Sequence, residues 1–334
     1  MKNIKPSVWI LSILCAALAA NLIWSCQKES NSNEAVTTVE APKLIGVSFQ
    51  ENRLVFASQA SFEAAVDKLV EFGQKGTDKV EAQFPGFESN FLAYKKLMRE
   101  NGENLDPNNL PAFVTATKGD DGEIYLKSSV DFKILRHLAN KNGVYQVENR
   151  VIRVNYDKWY EADAAFANEL EHGQNLDSNP NVTAHEIWRE KEQIHERASF
   201  MSCSQMYDCS PCSRKYHGEV NNVFGPYNEV RTDMDHYKRG AFGAWYHNDA
   251  PSMNFTGTVN TQCCTSICRN PDGSCPTTSI ATAMSGTDES EIFDVLLICC
   301  YGSCGGSCSA ISTSTVTYSI NGDFGFTGTC TATE

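Results

Sequence analysis

The sequence predicts an α+β protein: a small α+β domain first, then a helical connector, then a disulfide-rich antiparallel β domain, sandwich-like, at the C-terminal end. Three observations carry this. Apolar residues recur at helical spacing in the first half, between short alternating runs. Past Phe200 the texture turns to glycine, serine, threonine and cysteine with strand-like stretches. Of the 14 cysteines, all but Cys15 and Cys26 fall between Cys203 and Cys330. With 41 acidic against 28 basic side chains the net charge is −13, a self-repelling surface that excludes nucleic acid as a partner.

Lys2 and Lys5 precede an apolar run from Val8 to Trp24, the charged-then-apolar order of an export signal. The run ends in "LIWSC", so residues 1–25 are expected to be a lipoprotein signal peptide, cut before Cys26. Cys26 then carries acyl chains, and the polar stretch over 26–43 is a flexible tether. Each buried methylene adds about 0.8 kcal/mol, so more than one chain gives stable membrane anchoring. The competing reading is an uncleaved membrane helix, for which the run is nearly long enough. Cys15 leaves with the peptide.

The α+β domain is expected over 44–157. "GVSFQENRLVFAS" is a strand, turn and strand. A helix follows, capped by Ser61, with Phe62, Ala65, Val66, Leu69, Val70 and Phe72 on one stripe. A second helix covers roughly Phe87 to Glu100, with Phe91, Tyr94, Leu97 and Met98 sharing a face. "VDFKILRHLANKNGVYQVENRVIRVNYD" supplies a short helix ending near Asn140, a turn at Asn142-Gly143 and a small hairpin.

"RLVFASQASFEAAVDKLVEF", "GFESNFLAYKKL" and above all "LRHLANKNGVYQVENRVIRV" resemble the recurring pattern of a family of uncharacterised envelope lipoproteins of the Bacteroidota. The match runs from Arg53 to Val154, with a looser echo at "YNEVRTDMDHYKRGAFGAW"; Ala139 replaces the usual leucine, and the dense C-terminal cysteines are not typical. Cys26-Gln27-Lys28-Glu29 is similar to the short charged tag of their surface-displayed members. The resemblance implies an α+β architecture and an envelope location, lipid-anchored in the outer membrane and surface-exposed. It implies no activity and no catalytic residue.

The connector is expected over 158–200, where "YEADAAFANELEHG" and "TAHEIWREKEQIHERASF" have helical spacing around a polar loop. The cysteine-rich β domain is expected over 201–334. In it, "AISTSTVTYSINGDFGFTGTC" should turn on Ile320-Asn321-Gly322, pairing Tyr318 with Phe324 and Val316 with Phe326, with Thr313, Thr315 and Thr317 on the opposite face and Cys330 on the aromatic one. "IFDVLLICC" is apolar at both alternations and should be a strand covered on both faces.

Cys203, Cys209, Cys212, Cys263, Cys264, Cys268, Cys275, Cys299, Cys300, Cys304, Cys308 and Cys330 are an even set in an exported segment, which predicts a disulfide framework. Their spacings would also suit zinc or redox chemistry in a reducing compartment; export weighs against both, and no metal or cofactor is expected. The pairing stays open, since twelve cysteines allow on the order of ten thousand connectivities.

Glu161, Asp163, Glu169, Glu171 and His172 have the spacing of a solvated helix face. His185-Glu186 opens like a zinc-protease helix, but the next histidine is His195, not four residues on. No nucleophile elbow or phosphate-cradling glycine loop is present, and the glycines of "YGSCGGSC" suit tight turns between bridges. Asp235, His236, Tyr237, Trp245, Tyr246, His247 and Asp249 are the candidate binding patch, a polar-aromatic cluster of the kind that grips a protein or glycan; packing of a sheet with one buried face gives the same pattern. The expected function is a non-enzymatic, membrane-anchored binding module. The alternatives are a secreted hydrolase whose acid and base converge only in the fold, and an exported toxin.

Overall fold

The chain first doubles back at Glu51 and Asn52, both left-handed (φ 46° and 65°), so β1 (Val47–Gln50) and β2 (Arg53–Phe56) pair antiparallel. This is a computed structural model, and it describes residues 43–77, 79–119, 121–173, 175–189, 202–209, 212–262, 277–299, 310–322 and 326–333. The signal peptide, Cys26 and nearly all of the tether lie outside them. Among the described residues no helix is long and apolar enough to cross a membrane.

Helix α1 (Gln59–Thr77) buries Phe62, Ala65, Val66 and Leu69. Ser58, not the expected Ser61, holds its start: the Ser61 N–H donates to Ser58 Oγ at 3.1 Å, satisfying an amide that has no partner within the helix. Gly73 (φ 62°) breaks the helix near its end. Helix α2 (Asn90–Asn101) is capped by Ser89, which accepts from the Leu92 N–H, and buries Phe91, Tyr94 and Met98 as the spacing predicts. The hairpin β3 (Val114–Lys118) and β4 (Ile124–Ser128) follows. After the short α3 (Leu135–Leu138), β5 (Val144–Val147) and β6 (Arg150–Val154) form the expected hairpin, and β5 runs parallel to β2.

Over 158–189 the helical content shrinks to short turns between strands. "KWYEAD" alternates inward at Tyr160 and Ala162, and this period of two prevails: β7 (Lys158–Asp163) pairs with β6. Then come a 3-10 turn, α4 (Ala167–His172) and a second 3-10 turn. In place of the second expected helix stand β8 (Thr183–Glu186), on β7, and β9 (Trp188–Arg189); the rest of that helix, 190–200, lies outside the described residues.

The remaining strands are β10 (Ser202–Cys209), β11 (Cys212–Phe224), β12 (Asn228–Arg239), β13 (Trp245–His247), β14 (Ser252–Gln262), β15 (Thr277–Gly286), β16 (Glu291–Cys299), β17 (Ala310–Asn321) and β18 (Thr327–Thr333). Three sheets result: β1-β2-β5-β6-β7-β8; β10-β11-β12-β13-β4-β3, with β16 also on β12 and β9 on β11; and β15-β14-β17-β18. The last two face each other across Tyr216, Val220, Met234, Phe255, Val259, Val316 and Tyr318, the expected sandwich. The other side of the middle sheet, at Val223, Phe293 and Val295, packs on α1, β2 and the 130–138 segment. Strand β16 is therefore covered on both faces, as its apolar run predicts: Ile292 points into one core and Phe293 into the other. All described residues belong to one compact unit, Ala41–Glu334, and β3 and β4 extend the sheet of the second half, so 44–157 and 201–334 share their interior.

Two cysteine expectations meet described residues. Cys203 and Cys330 form a disulfide with Cα atoms 5.9 Å apart, and Cys330 lies on the aromatic face beside Tyr318. Cys209 and Cys212 oppose each other at the end of the β10–β11 hairpin, and Cys299 ends β16. Cys263, Cys264, Cys268, Cys275, Cys300, Cys304 and Cys308 lie outside the described residues, as do the glycines of "YGSCGGSC". The last hairpin departs from its predicted register: Tyr318 opposes Cys330 and Asn321 opposes Thr327, so five residues rather than three separate the paired strands. Val316 and Tyr318 nonetheless face inward as predicted, because the register moved by an even number of residues, and Ile320, expected in the turn, extends that inward row.

Candidate functional site

Strand β12 reads "NEVRTDMDHYKR", and every second residue from Glu229 to Tyr237 is polar: Glu229, Arg231, Asp233, Asp235 and Tyr237. Alternation puts them on one face, and that face is interior, with Arg231 and Asp233 each 1% exposed. Buried charge at this density requires partners. They come from far along the chain: Asp131, Lys133 and Arg136 from the segment around α3, Arg189 from β9, Glu219 from β11, His247 from β13 and Glu291 from β16.

Arg231 is the hub. Its Nη2 lies 2.9 Å from Asp131 Oδ1, its Nη1 3.1 Å from Glu229 Oε1, and its Nε 3.1 Å from Asp233 Oδ2. Arg189 Nε takes the other Asp131 oxygen at 2.8 Å. Burial would raise the Asp131 carboxyl, but Arg231 and Arg189 override it and hold it well below the usual carboxylate range. Lys133 Nζ sits 2.8 Å from Asp233 Oδ2 and also bonds Glu291 Oε1, while Arg136 Nη1 holds Glu291 Oε2 at 2.7 Å. Burial likewise pushes on Glu291, yet Arg136 and Lys133 keep it at about 2. For Asp233 burial wins over Lys133, and the carboxyl rises to about 6.

Asp235, His247 and Glu291 bring donor atoms within 4.8 Å of one another, the one such grouping among the described residues. His247 Nε2 and Asp235 Oδ1 stand 3.6 Å apart without a hydrogen bond, and the Tyr237 hydroxyl donates to Asp235 Oδ2 at 2.7 Å. The set fits a metal ion poorly, since both Glu291 oxygens are taken by cations. The void beside it, between Tyr94, Lys127, Asp235, His247 and Glu291, is about 20 Å3, and the next, against Phe91 and Met98, about 10 Å3. Such spaces admit about one water and no substrate.

The candidate binding patch is thus brought together but turned inward. Asp235, His236, Tyr237, Trp245, Tyr246 and His247 are all buried, and only Asp249 reaches the surface, where Arg99 Nε pairs with it at 2.9 Å. His236 faces the other core, bonded to the Tyr207 hydroxyl at 2.7 Å and the Asn248 carbonyl at 2.6 Å. Sheet packing, the other reading of these residues, accounts for this burial: β12 is flanked by strands on both edges and covered on both faces. The carboxylates of 161–172 stay apart, Glu171 turning in to accept from Asn140 Nδ2 at 2.6 Å. His185 lies on β8, stacked on Trp159 and 3.2 Å from Glu161 Oε1.

No family model matches the chain, and no curated protein matches it. Among solved structures, a DUF4848 family protein from Bacteroides thetaiotaomicron is similar at 12% identity and a TM-score of 0.25, covering 86% of this chain and all of that one. A likeness this slight carries no argument about fold or activity.

The surface offers a different feature. Strands β14, β15, β17 and β18 contain no charged side chain, in a chain of net charge −13. Their outward residues align in rows across the sheet: Ser285, Asn254, Ser319 and Thr329; then Ala283, Thr256, Thr317 and Thr331; then Ala281, Thr258, Thr315 and Thr333. At the β15 edge this face meets two open depressions of about 360 and 330 Å3, which share Gln74, Met284 and Ser285. Sequence reasoning had the alternation of β17 but not the match of four strands, which depends on pairings between segments far apart.

Proposed function

We propose that this is an exported binding protein, held in the outer membrane by acyl chains on Cys26, that presents the uncharged outer face of the β15-β14-β17-β18 sheet to a neutral, hydroxyl-rich ligand, a glycan. The observation that carries the reading is the ordered array of threonine, serine and asparagine side chains with no charge among them. Hydroxyls and amides both donate and accept, which suits a polyol, and a charged ligand would find no counter-ion there. Ser285 belongs both to that face and to the depressions, whose size suits a sugar unit. The grouping of Asp235, His247 and Glu291 found among the described residues is enclosed and gives a substrate no access.

The test is retention of the purified protein on immobilised amylose and mannan, with Thr256→Lys/Thr331→Lys alongside. Retention lost in the variant supports the face as the binding surface. An unretained wild type, or equal retention of both, rejects it. Anchoring is tested separately by labelling cells with palmitate: the label should reach the wild type and not Cys26→Ser, and an unlabelled wild type removes the anchor.

A further inference from the structure

Lys133, Asp233 and Glu291 bring one amine and two carboxyls together in the interior, with side chains 7%, 1% and 6% exposed. They arrive from three places in the chain: the segment before α3, β12 and β16. We propose that Lys133 Nζ condenses with the Asp233 side chain to form an intramolecular isopeptide bond, with Glu291 receiving a proton from the amine.

The geometry sets the roles. Lys133 Nζ is 2.8 Å from Asp233 Oδ2 and hydrogen-bonded to Glu291 Oε1, so the nucleophile touches both the electrophile and the base. Acyl transfer needs a neutral acid as electrophile and an ionised one as base. Burial draws Asp233 toward its neutral form, while Arg136 and Lys133 keep Glu291 ionised. Glu291 takes one proton from the ammonium, and the freed lone pair attacks Asp233 Cγ, forming the N–C bond. A second nitrogen proton passes to the Asp233 hydroxyl, the C–O bond breaks and water leaves. The third stays as the amide N–H, and Glu291 ends protonated. Arg231 Nε, 3.1 Å from Asp233 Oδ2, faces the oxygen on which negative charge develops. The adjoining void of about 20 Å3 lets one water depart without admitting bulk solvent to reverse the reaction.

A second lysine–carboxylate contact lacks these conditions. Lys215 Nζ reaches Asp121 Oδ2 at 2.5 Å, but Asp121 is 37% exposed and is held ionised at about 2, with hydrogen bonds from Lys215 and Tyr125 overriding burial. It lacks both the neutral acid and the dry site.

Proteolytic peptide mapping of the full chain, reduced and alkylated, decides the matter without a variant. The expected result is a branched peptide joining Lys133 to Asp233, lighter than its two linear parts by one water, and missing from Lys133→Met. Glu291→Gln, with folding checked by near-ultraviolet circular dichroism, should leave most of the chain unbranched. Linear peptides alone in the wild type, or a branch ending at Glu291, would overturn the proposal.

Discussion

The side chain of Gln74 pairs with the main chain of Phe293 as a neighbouring strand would: Gln74 Oε1 accepts from the Phe293 N–H at 3.1 Å, and Gln74 Nε2 donates to the Glu291 carbonyl at 3.0 Å. One amide thereby satisfies two main-chain groups of β16, the Phe293 N–H and the Glu291 carbonyl. Gly73, left-handed at φ 62°, turns the end of α1 so that Gln74 can face this strand. Gln74→Ala should cost about 2 kcal/mol or more, because a buried N–H and a buried carbonyl lose their partners. Urea denaturation measures it; a loss under about 0.5 kcal/mol would mean water replaces the amide.

Arg231→Met should be among the most destabilising single changes in the chain. It removes the cation shared by Asp131, Glu229 and Asp233 and strands carboxylates in the interior, a situation that costs about 3–5 kcal/mol. A melting temperature within a few degrees of wild type would show that the network reorganises around the loss.

Acid should weaken the fold in two stages. Burial, with Arg136 alongside, pushes the His137 imidazole well below its ordinary 6.5. The unfolded chain therefore binds a proton that the folded chain refuses, and stability falls as pH drops through 6.5, by up to about 1.4 kcal/mol per unit. Asp131, held low by Arg231 and Arg189, contributes stability that is whole above the ordinary aspartate value of 3.8 and is lost as pH falls below it. His137→Gln should abolish the first stage and spare the second. A wild type whose stability falls no more steeply than that of His137→Gln between about pH 7.5 and 5.5 would contradict the first.

The Cys203–Cys330 bridge closes a span of 127 residues, so replacing both by serine should lower stability by about 2–4 kcal/mol. Calorimetry of the double variant against wild type gives the figure. If reductant lowers the melting temperature of that variant as well, other bridges contribute.

Much of the fold was legible because local periodicity decides it: the stripe Phe62, Ala65, Val66 and Leu69 could be only a buried helix face, and Val316 and Tyr318 only a buried strand face. What escaped was decided at long range. Glu229, Arg231, Asp233 and Asp235 look like the wet side of a strand, and nothing near them in sequence announces Lys133, Arg189 or Glu291 as partners. Asp235, Tyr237 and His247 of the candidate patch do meet, but in the interior, and in sequence inside and outside differ only by what covers them. Over 158–163 both periods fit the sequence, and pairing with β6 chose the strand.

The parallel contact of β13 with β4, where Trp245 opposes Tyr125, has a bearing on how such a molecule could be inherited or cut apart. A gene fragment ending after β9 would encode a β3–β4 hairpin with no neighbour, and the complementary fragment would carry the charges of β12 without Asp131, Lys133 and Arg136 to neutralise them. Neither piece is a transplantable cassette, and recombination within this lineage should preserve the two together.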